Sequence, residues 1–182
     1  FCTVDLSAFY FDIRKDALYC DSKNSERRKS CMVVLNIILE SLIKWFAPIL
    51  SFTTEEIFTL INKENKSIHL EEFMQFPKSF QNEQLGKKWI ELKKIRDICN
   101  VSIEAKRASK EIGSSLEANL TVCLNKELLE LIKDIDLAEL CITSAAEIIE
   151  TANDEIIVKT KKAEGNKCPI CWKISKIKCE RH

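Results

Sequence analysis

The sequence predicts a mainly α fold: a helical bundle, then one long helix, then a small α/β unit, then a short cysteine-bearing tail. Three observations carry this. Only three Gly and three Pro occur among 182 residues, too few for a turn-rich all-β sandwich, whose hairpins depend on residues that accept positive φ. Apolar residues recur at helical spacing through most of the chain up to Glu111. Past Gly113 that period gives way to alternation, and past Lys161 to no apolar period at all.

Taken in order, Leu6, Phe9 or Tyr10, Ile13 and Ala17 form one apolar stripe, so a first helix is expected to about Tyr19. Asp21 to Lys29 is polar and reads as a loop, ending in the basic lead-in to a second helix. From Ser30 the series Val34, Ile37, Ile38, Leu42, Trp45, Phe46 is strongly helical, and Pro48 must end it. Thr53 and Glu56 have the spacing of a capping box, which opens a third helix through Ile61. Residues 63–80 look irregular, with Phe73, Phe76 and Phe80 expected to tuck against the bundle. Leu85, Trp89, Leu92, Ile95, Cys99 and Ile103 then mark one helix from Gln84 to Glu111, about 25 residues and ~40 Å long, with Gly113 as its left-handed cap. Leu120, Val122 and Leu124 alternate with polar neighbours as in a half-buried strand. Lys126 to Ile135 is helical again. Cys141–Thr143 and Glu155–Thr160 read as further strands, with a hairpin turn at Asn153-Asp154. The expected domains are 1–80 (helical bundle), 81–161 (long helix and α/β unit) and 162–182 (tail).

Composition narrows the function classes. The chain is 46% hydrophobic and 31% charged, with 28 basic and 28 acidic residues, and no apolar run approaches the roughly 20 residues that cross a bilayer. A cytoplasmic protein without membrane contact is expected. The neutral total conceals a partition: residues 112–158 hold 2 basic against 10 acidic groups, whereas 159–182 hold 8 against 2. A polyanion would meet the tail and the helices, not the acidic block, although lysine-rich surface can also be mere solvated surface. Six of the nine cysteines (Cys2, Cys20, Cys31, Cys99, Cys123, Cys141) stand singly among apolar neighbours and read as small core residues in a reducing compartment. The chain opens at Phe1 inside an apolar pattern, so a piece of a longer polypeptide is expected. Neither G-x-x-x-x-G-K-[ST] nor G-x-G-x-x-G occurs. His69, between Ile68 and Leu70, reads as a packed or exposed spacer rather than a general base.

The tail holds the clearest chemistry. Cys168, Cys171, Cys179 and His182 follow the formula C-x2-C-x7-C-x2-H. A two-residue gap lets both thiolates of a tight knuckle reach one ion, and three thiolates with one imidazole make the closed tetrahedral set of structural Zn2+. With no open coordination position, no catalytic role is expected of it. So few apolar residues cannot fold the tail unaided, and metal would supply the missing free energy; the alternative is an unliganded cysteine-rich tail. Trp172 follows the second ligand amid Lys167, Lys173, Lys176, Lys178 and Arg181. It suits either a base-stacking platform in a phosphate-attracting patch or an anchor packed against the α/β unit.

Several stretches resemble one family. Asp5-Leu6-Ser7-Ala8-Phe9-Tyr10 with Lys15-Asp16-Ala17-Leu18-Tyr19, and the run from Trp45-Phe46-Ala47-Pro48-Ile49-Leu50 through Ser51-Phe52-Thr53-Thr54-Glu55-Glu56-Ile57, are similar to the anticodon-binding bundle of bacterial isoleucyl-tRNA synthetases. Gly113-Ser114-Ser115-Leu116-Glu117-Ala118 resembles that family's segment after the long helix, and Lys162-Ala163-Glu164-Gly165 its approach to a C-terminal zinc knuckle. The Ala-Pro-Ile-Leu stretch alone would also suit valyl and leucyl enzymes. The resemblance implies an anticodon-binding fold and a monomer that grips tRNA(Ile) by its anticodon stem-loop. It also implies a synthetase remainder that uses ATP and isoleucine, so this piece binds without catalysing. It maps zinc ligation onto Cys168, Cys171 and Cys179, and proximity to the anticodon onto Trp172. In the family Cys usually stands where His182 does, and the loop between ligand pairs is usually longer. Charge and placement add Lys173, Lys176, Arg181, Arg14, Lys15, Arg27, Arg28 and Lys29 as expected tRNA contacts. A second reading is a non-catalytic zinc-bearing nucleic-acid-binding module of another protein.

Overall fold

The computed structural model describes residues 1–62, 66–179 and 181. Contacts group the chain into two compact units, Phe1–Ser22 with Asn82–His182, and Lys23–Gln81.

The larger unit opens with a π-helical segment, Cys2–Phe11, that runs into α1 (Asp12–Cys20). Leu6, Ile13 and Ala17 are its buried residues, so the expected stripe is present. Spacing alone did not distinguish wide from ordinary winding, because residues three, four and seven apart suit both. Phe9 meets Trp89 edge-on at 6.0 Å, beneath the cations of Lys93 and Arg96. This seats the first helix on α4 (Glu83–Ala108), whose own buried stripe is Leu92, Ile95, Cys99 and Ile103. Asn82 caps α4 by accepting a 2.9 Å hydrogen bond from the Leu85 amide.

Gly113 does not cap this helix. Lys110 adopts the left-handed conformation at φ 59, while the Glu111 amide bonds the Lys106 carbonyl and the Lys110 amide the Arg107 carbonyl. That pattern is a Schellman close, three residues before the end expected from periodicity.

Beyond it, β1 (Ala118–Leu124) lies at the centre of a three-stranded sheet of order β2-β1-β3, with β2 spanning Ala145–Glu150 and β3 Ile157–Lys162. β1 pairs parallel with β2 and antiparallel with β3. Two expectations fail here. Asn153-Asp154 joins no hairpin, because β2 and β3 occupy opposite edges of β1. Cys141–Thr143 is no strand: it follows α6 (Leu137–Leu140), with Ile142 at φ 56. Cys141 and Thr143 are buried by that turn, so their alternation reflects burial without extension. α5 (Lys126–Ile132) completes the crossover from β1 to β2. The core joins Ile13, the α4 stripe, Leu120, Val122 and Leu124 of β1, Ile132 and Leu140. Of the scattered cysteines, Cys31, Cys99 and Cys141 are buried, but Cys2 is exposed, which corrects its reading as a core residue.

The smaller unit pairs α2 (Glu26–Phe46) with α3 (Ser51–Ile61). α2 starts four residues before the expected Ser30, because Ser25 caps it by accepting from the Arg28 amide. Thr53 and Glu56 form no capping box. α3 already begins at Ser51, and Thr54 returns its hydroxyl proton to the Leu50 carbonyl at 3.0 Å. The chain turns through Phe46–Leu50 with helix-like bonds, so the cap position falls on Leu50 and leaves Thr53 inside the helix. Ile43, Ala47, Phe58 and Ile68 form the core of this unit. The Glu55 carboxylate accepts from the Ser67 hydroxyl and the Ile68 amide, both at 2.9 Å. Buried Lys44 pairs with Glu40 at 3.0 Å and Glu71 at 3.4 Å. Phe73, Phe76 and Phe80 are exposed, contrary to expectation; Ile68 and Met74 make the inward contacts instead, Met74 accepting from the Ser41 hydroxyl.

Candidate metal centre and binding surface

The tail forms a small hairpin closed by a knuckle. β4 (Asn166–Lys167) pairs antiparallel with β5 (Ile174–Ser175). Gly165 makes the approach possible: its φ is 128, and a Cβ there would lie 2.3 Å from the Ser175 backbone. No side chain fits without displacing main chain. Gly165→Ala is therefore expected to unpair β4 from β5, seen as loss of amide-exchange protection at Asn166 and Ser175, the facing pair next to Gly165, while the α4 amides keep theirs.

Within the knuckle the Cys168 amide bonds the Lys173 carbonyl at 2.9 Å and the Trp172 amide bonds the Cys168 carbonyl at 3.0 Å. This tight turn carries Trp172 at φ 62, a left-handed conformation unusual for a bulky residue. It brings Cys168, Cys171 and Cys179 together, with all three sulfurs within 4.8 Å of one another. Cys171 Sγ and Cys179 Sγ are 4.0 Å apart. Sulfurs about 2.3 Å from one tetrahedral ion stand about 3.8 Å apart, so the donor set fits a single metal of that kind. Burial pushes the Cys171 thiol up to about 11; the Lys173 backbone bond opposes this, and the Cys168 and Cys179 side chains add to it. A cation among the sulfurs reverses that preference, since each ligates as thiolate. His182 lies outside the described residues.

The knuckle is fastened on two sides. The Ile174 amide donates to Ser144 Oγ at 2.6 Å, and Ser144 in turn donates to the Leu116 carbonyl. On the other side the Cys20 thiol donates to the Ile170 carbonyl at 3.9 Å, and Arg181 pairs with Asp16 and Asp21. A cavity of about 340 Å3 lies between α1, α6 and the knuckle, walled by Tyr19, Leu116, Ile142, Ile170 and Trp172. Sequence reasoning missed Asp16, Asp21 and Ser144. Their partners lie 165, 160 and 30 residues away, and local patterns carry no signal of such pairings.

The remaining expected contact residues divide into two kinds. Trp172 is 59% exposed, with Lys167 Nζ 5.6 Å from its ring centre, and shares the cavity wall with Leu116 and Ile142. Lys173 is half-buried beside it. Lys176 pairs with Glu164 at 2.7 Å and Lys15 with Asp12 at 2.9 Å, both lysines largely in solvent. Arg14 instead spans from α1 to Glu139 of α6 at 2.8 Å. Arg27, Arg28 and Lys29 fall in the first turn of α2 in the smaller unit, Lys29 paired with Glu26 at 3.5 Å. Three cations at a helix N-terminus oppose the helix dipole.

A family model described as the anticodon-binding domain of tRNA ligase matches residues 1–124. The isoleucine–tRNA ligase of Pelagibacter ubique is 78% identical over 182 residues, covering 100% of this chain and 20% of that protein. That of Bartonella henselae is 41% identical over 184 residues, covering 95% and 19%, and that of Agrobacterium fabrum 39% over 186 residues, covering 96% and 19%. The chain thus spans about a fifth of the length of these curated relatives. The matched stretch takes in Cys2–Phe11, α1 to α4 and the central strand of the sheet, and stops before α5 and α6. With it, the chain belongs to the family of tRNA-ligase anticodon-binding domains.

Proposed function

We propose that this chain is the tRNA-binding C-terminal part of an isoleucine–tRNA ligase, of the anticodon-binding bundle type. It holds the anticodon stem-loop of tRNA(Ile), while the remainder of the synthetase joins isoleucine to the tRNA with ATP. The observation that carries the reading is the likeness along the whole chain to isoleucine–tRNA ligases, in a molecule whose tail presents an exposed tryptophan on a cysteine-clamped turn. The metal is structural Zn2+ on Cys168, Cys171 and Cys179, with His182 as fourth ligand. Its chemistry is to hold the knuckle rigid.

Base stacking falls to Trp172, beside a cavity large enough for an unstacked base. Phosphate attraction falls to Lys173, Lys176, Lys15 and the α2 cluster Arg27, Arg28 and Lys29, where the helix dipole favours the anion that its own cations would meet. Arg14 serves by fixing α1 to α6. Trp45, Ile49, Phe52 and Leu60 are exposed on the smaller unit, an apolar surface suited to cover by the synthetase remainder. No helix among the described residues is long and apolar enough to cross a membrane; the proposed enzyme is a cytoplasmic monomer.

Competition at matched salt tests the reading. A tRNA(Ile) transcript is expected to displace unrelated duplex DNA from the chain, with affinity falling as salt rises. Equal or better binding of the duplex would defeat it.

A further inference from the structure

Arg181 stands two residues beyond Cys179 and places its guanidinium between two carboxylates of α1, Asp16 Oδ2 at 2.8 Å and Asp21 Oδ1. The three side chains keep only 31%, 20% and 9% of their surface in water, for Arg181, Asp16 and Asp21 respectively, so solvent screens this group far less than an ordinary surface pair. Asp21 caps the C-terminus of α1, with Asp16 just over one turn earlier. Carboxylates at that end oppose the helix dipole unless a cation offsets them. A planar guanidinium fork serves two acceptors in fixed directions and loses less freedom in doing so than a lysine ammonium. One residue before Asp21, the Cys20 thiol holds the Ile170 carbonyl between the first two metal-binding cysteines. The end of α1 therefore touches the knuckle on both sides of its sulfur cluster.

We propose that Arg181 is a latch: a positioning residue that couples metal binding at Cys168, Cys171 and Cys179 to docking of the knuckle on α1. The proposal rests on the zinc reading above. An ion holding Cys179 fixes the chain from which Arg181 reaches Asp16 and Asp21, and linkage requires the reverse: a docked Arg181 raises metal affinity by the same factor. Arg181 is thereby taken from the phosphate contacts and given to the geometry of the site.

The test is zinc affinity of the full 182-residue chain, by competition with a chromophoric chelator. Arg181→Ala and Asp21→Asn are each expected to weaken zinc about tenfold. The double variant should be no weaker than Arg181→Ala alone, because that substitution already removes the contact that Asp21 makes. Arg181→Lys should recover part of the loss. In Arg181→Ala loaded with zinc, amide exchange should quicken at Tyr19–Asp21 and not along α4. Unchanged zinc affinity in both single variants, or losses that simply add, would overturn the latch, as would a fall in tRNA affinity at constant zinc affinity. A wild-type chain that takes up no zinc would overturn the metal reading itself and the latch with it.

Discussion

Replacing Cys171 with Ser is expected to strip the metal from the tail and leave the helices standing. Cys171 is the buried member of the sulfur cluster, and a serine hydroxyl neither ionises near neutral pH nor reaches as far as a thiolate. Structural zinc in small domains is bound with about 10–16 kcal/mol over four ligands, so losing one is worth roughly 2.5–4 kcal/mol, a loss in zinc affinity of about 100- to 1,000-fold. Apart from the ties to Ser144, Cys20, Asp16 and Asp21, little else holds the hairpin. β4 and β5 are two residues each, and among the described residues of the tail only Cys171 belongs to the buried apolar set. The core that joins α1, α4 and the sheet contains none of the described tail residues. After challenge with a competing chelator, metal content should therefore fall from one ion per chain to near none, with helical circular dichroism within a few percent of wild type. Loss of the helical signal along with the metal would show that the tail is integral to the core.

Trp172→Ala is expected to weaken tRNA binding by ~1–3 kcal/mol, the range for removal of one base-stacking ring, with zinc content unchanged. The ring is exposed, stands beside a cavity, and carries Lys167 near its face. Its backbone, not its side chain, closes the knuckle through the amide bond to Cys168. Substitution by Phe separates the two roles: a stacking ring is retained, so most of the affinity should return. Equal tRNA affinity in wild type and Trp172→Ala would show that the ring makes no contact with RNA.

What was legible in the sequence is what local physics writes there. The α4 stripe of Leu92, Ile95, Cys99 and Ile103 is a direct readout of helical period, and the alternation of Leu120, Val122 and Leu124 is one of pleat. Cys168, Cys171 and Cys179 were legible because a knuckle needs its first two ligands three residues apart. Signals that several structures share were misread. Thr53 and Glu56 have cap spacing, but the turn after Phe46 had already started the helix. Asn153-Asp154 can turn a chain, yet which strands pair across β1 is decided by residues far away in sequence. A lysine took the left-handed place expected of Gly113, because the Schellman close follows the last helical carbonyls wherever they fall. In the tail, charge identified Arg181 as basic surface, while its carboxylate partners sit on a helix 160 residues earlier. Long-range ion pairs of this kind decide whether a cation is available to a ligand or committed to the fold.

The most direct measurement is the affinity of the zinc-loaded chain for a tRNA(Ile) transcript and for the same transcript with its anticodon loop exchanged for that of another tRNA. A drop of about tenfold or more on exchange is the expected result, because the proposed function has the exposed ring and cavity meet bases that only the loop presents. Equal affinity for the two transcripts would contradict recognition of the anticodon by this chain.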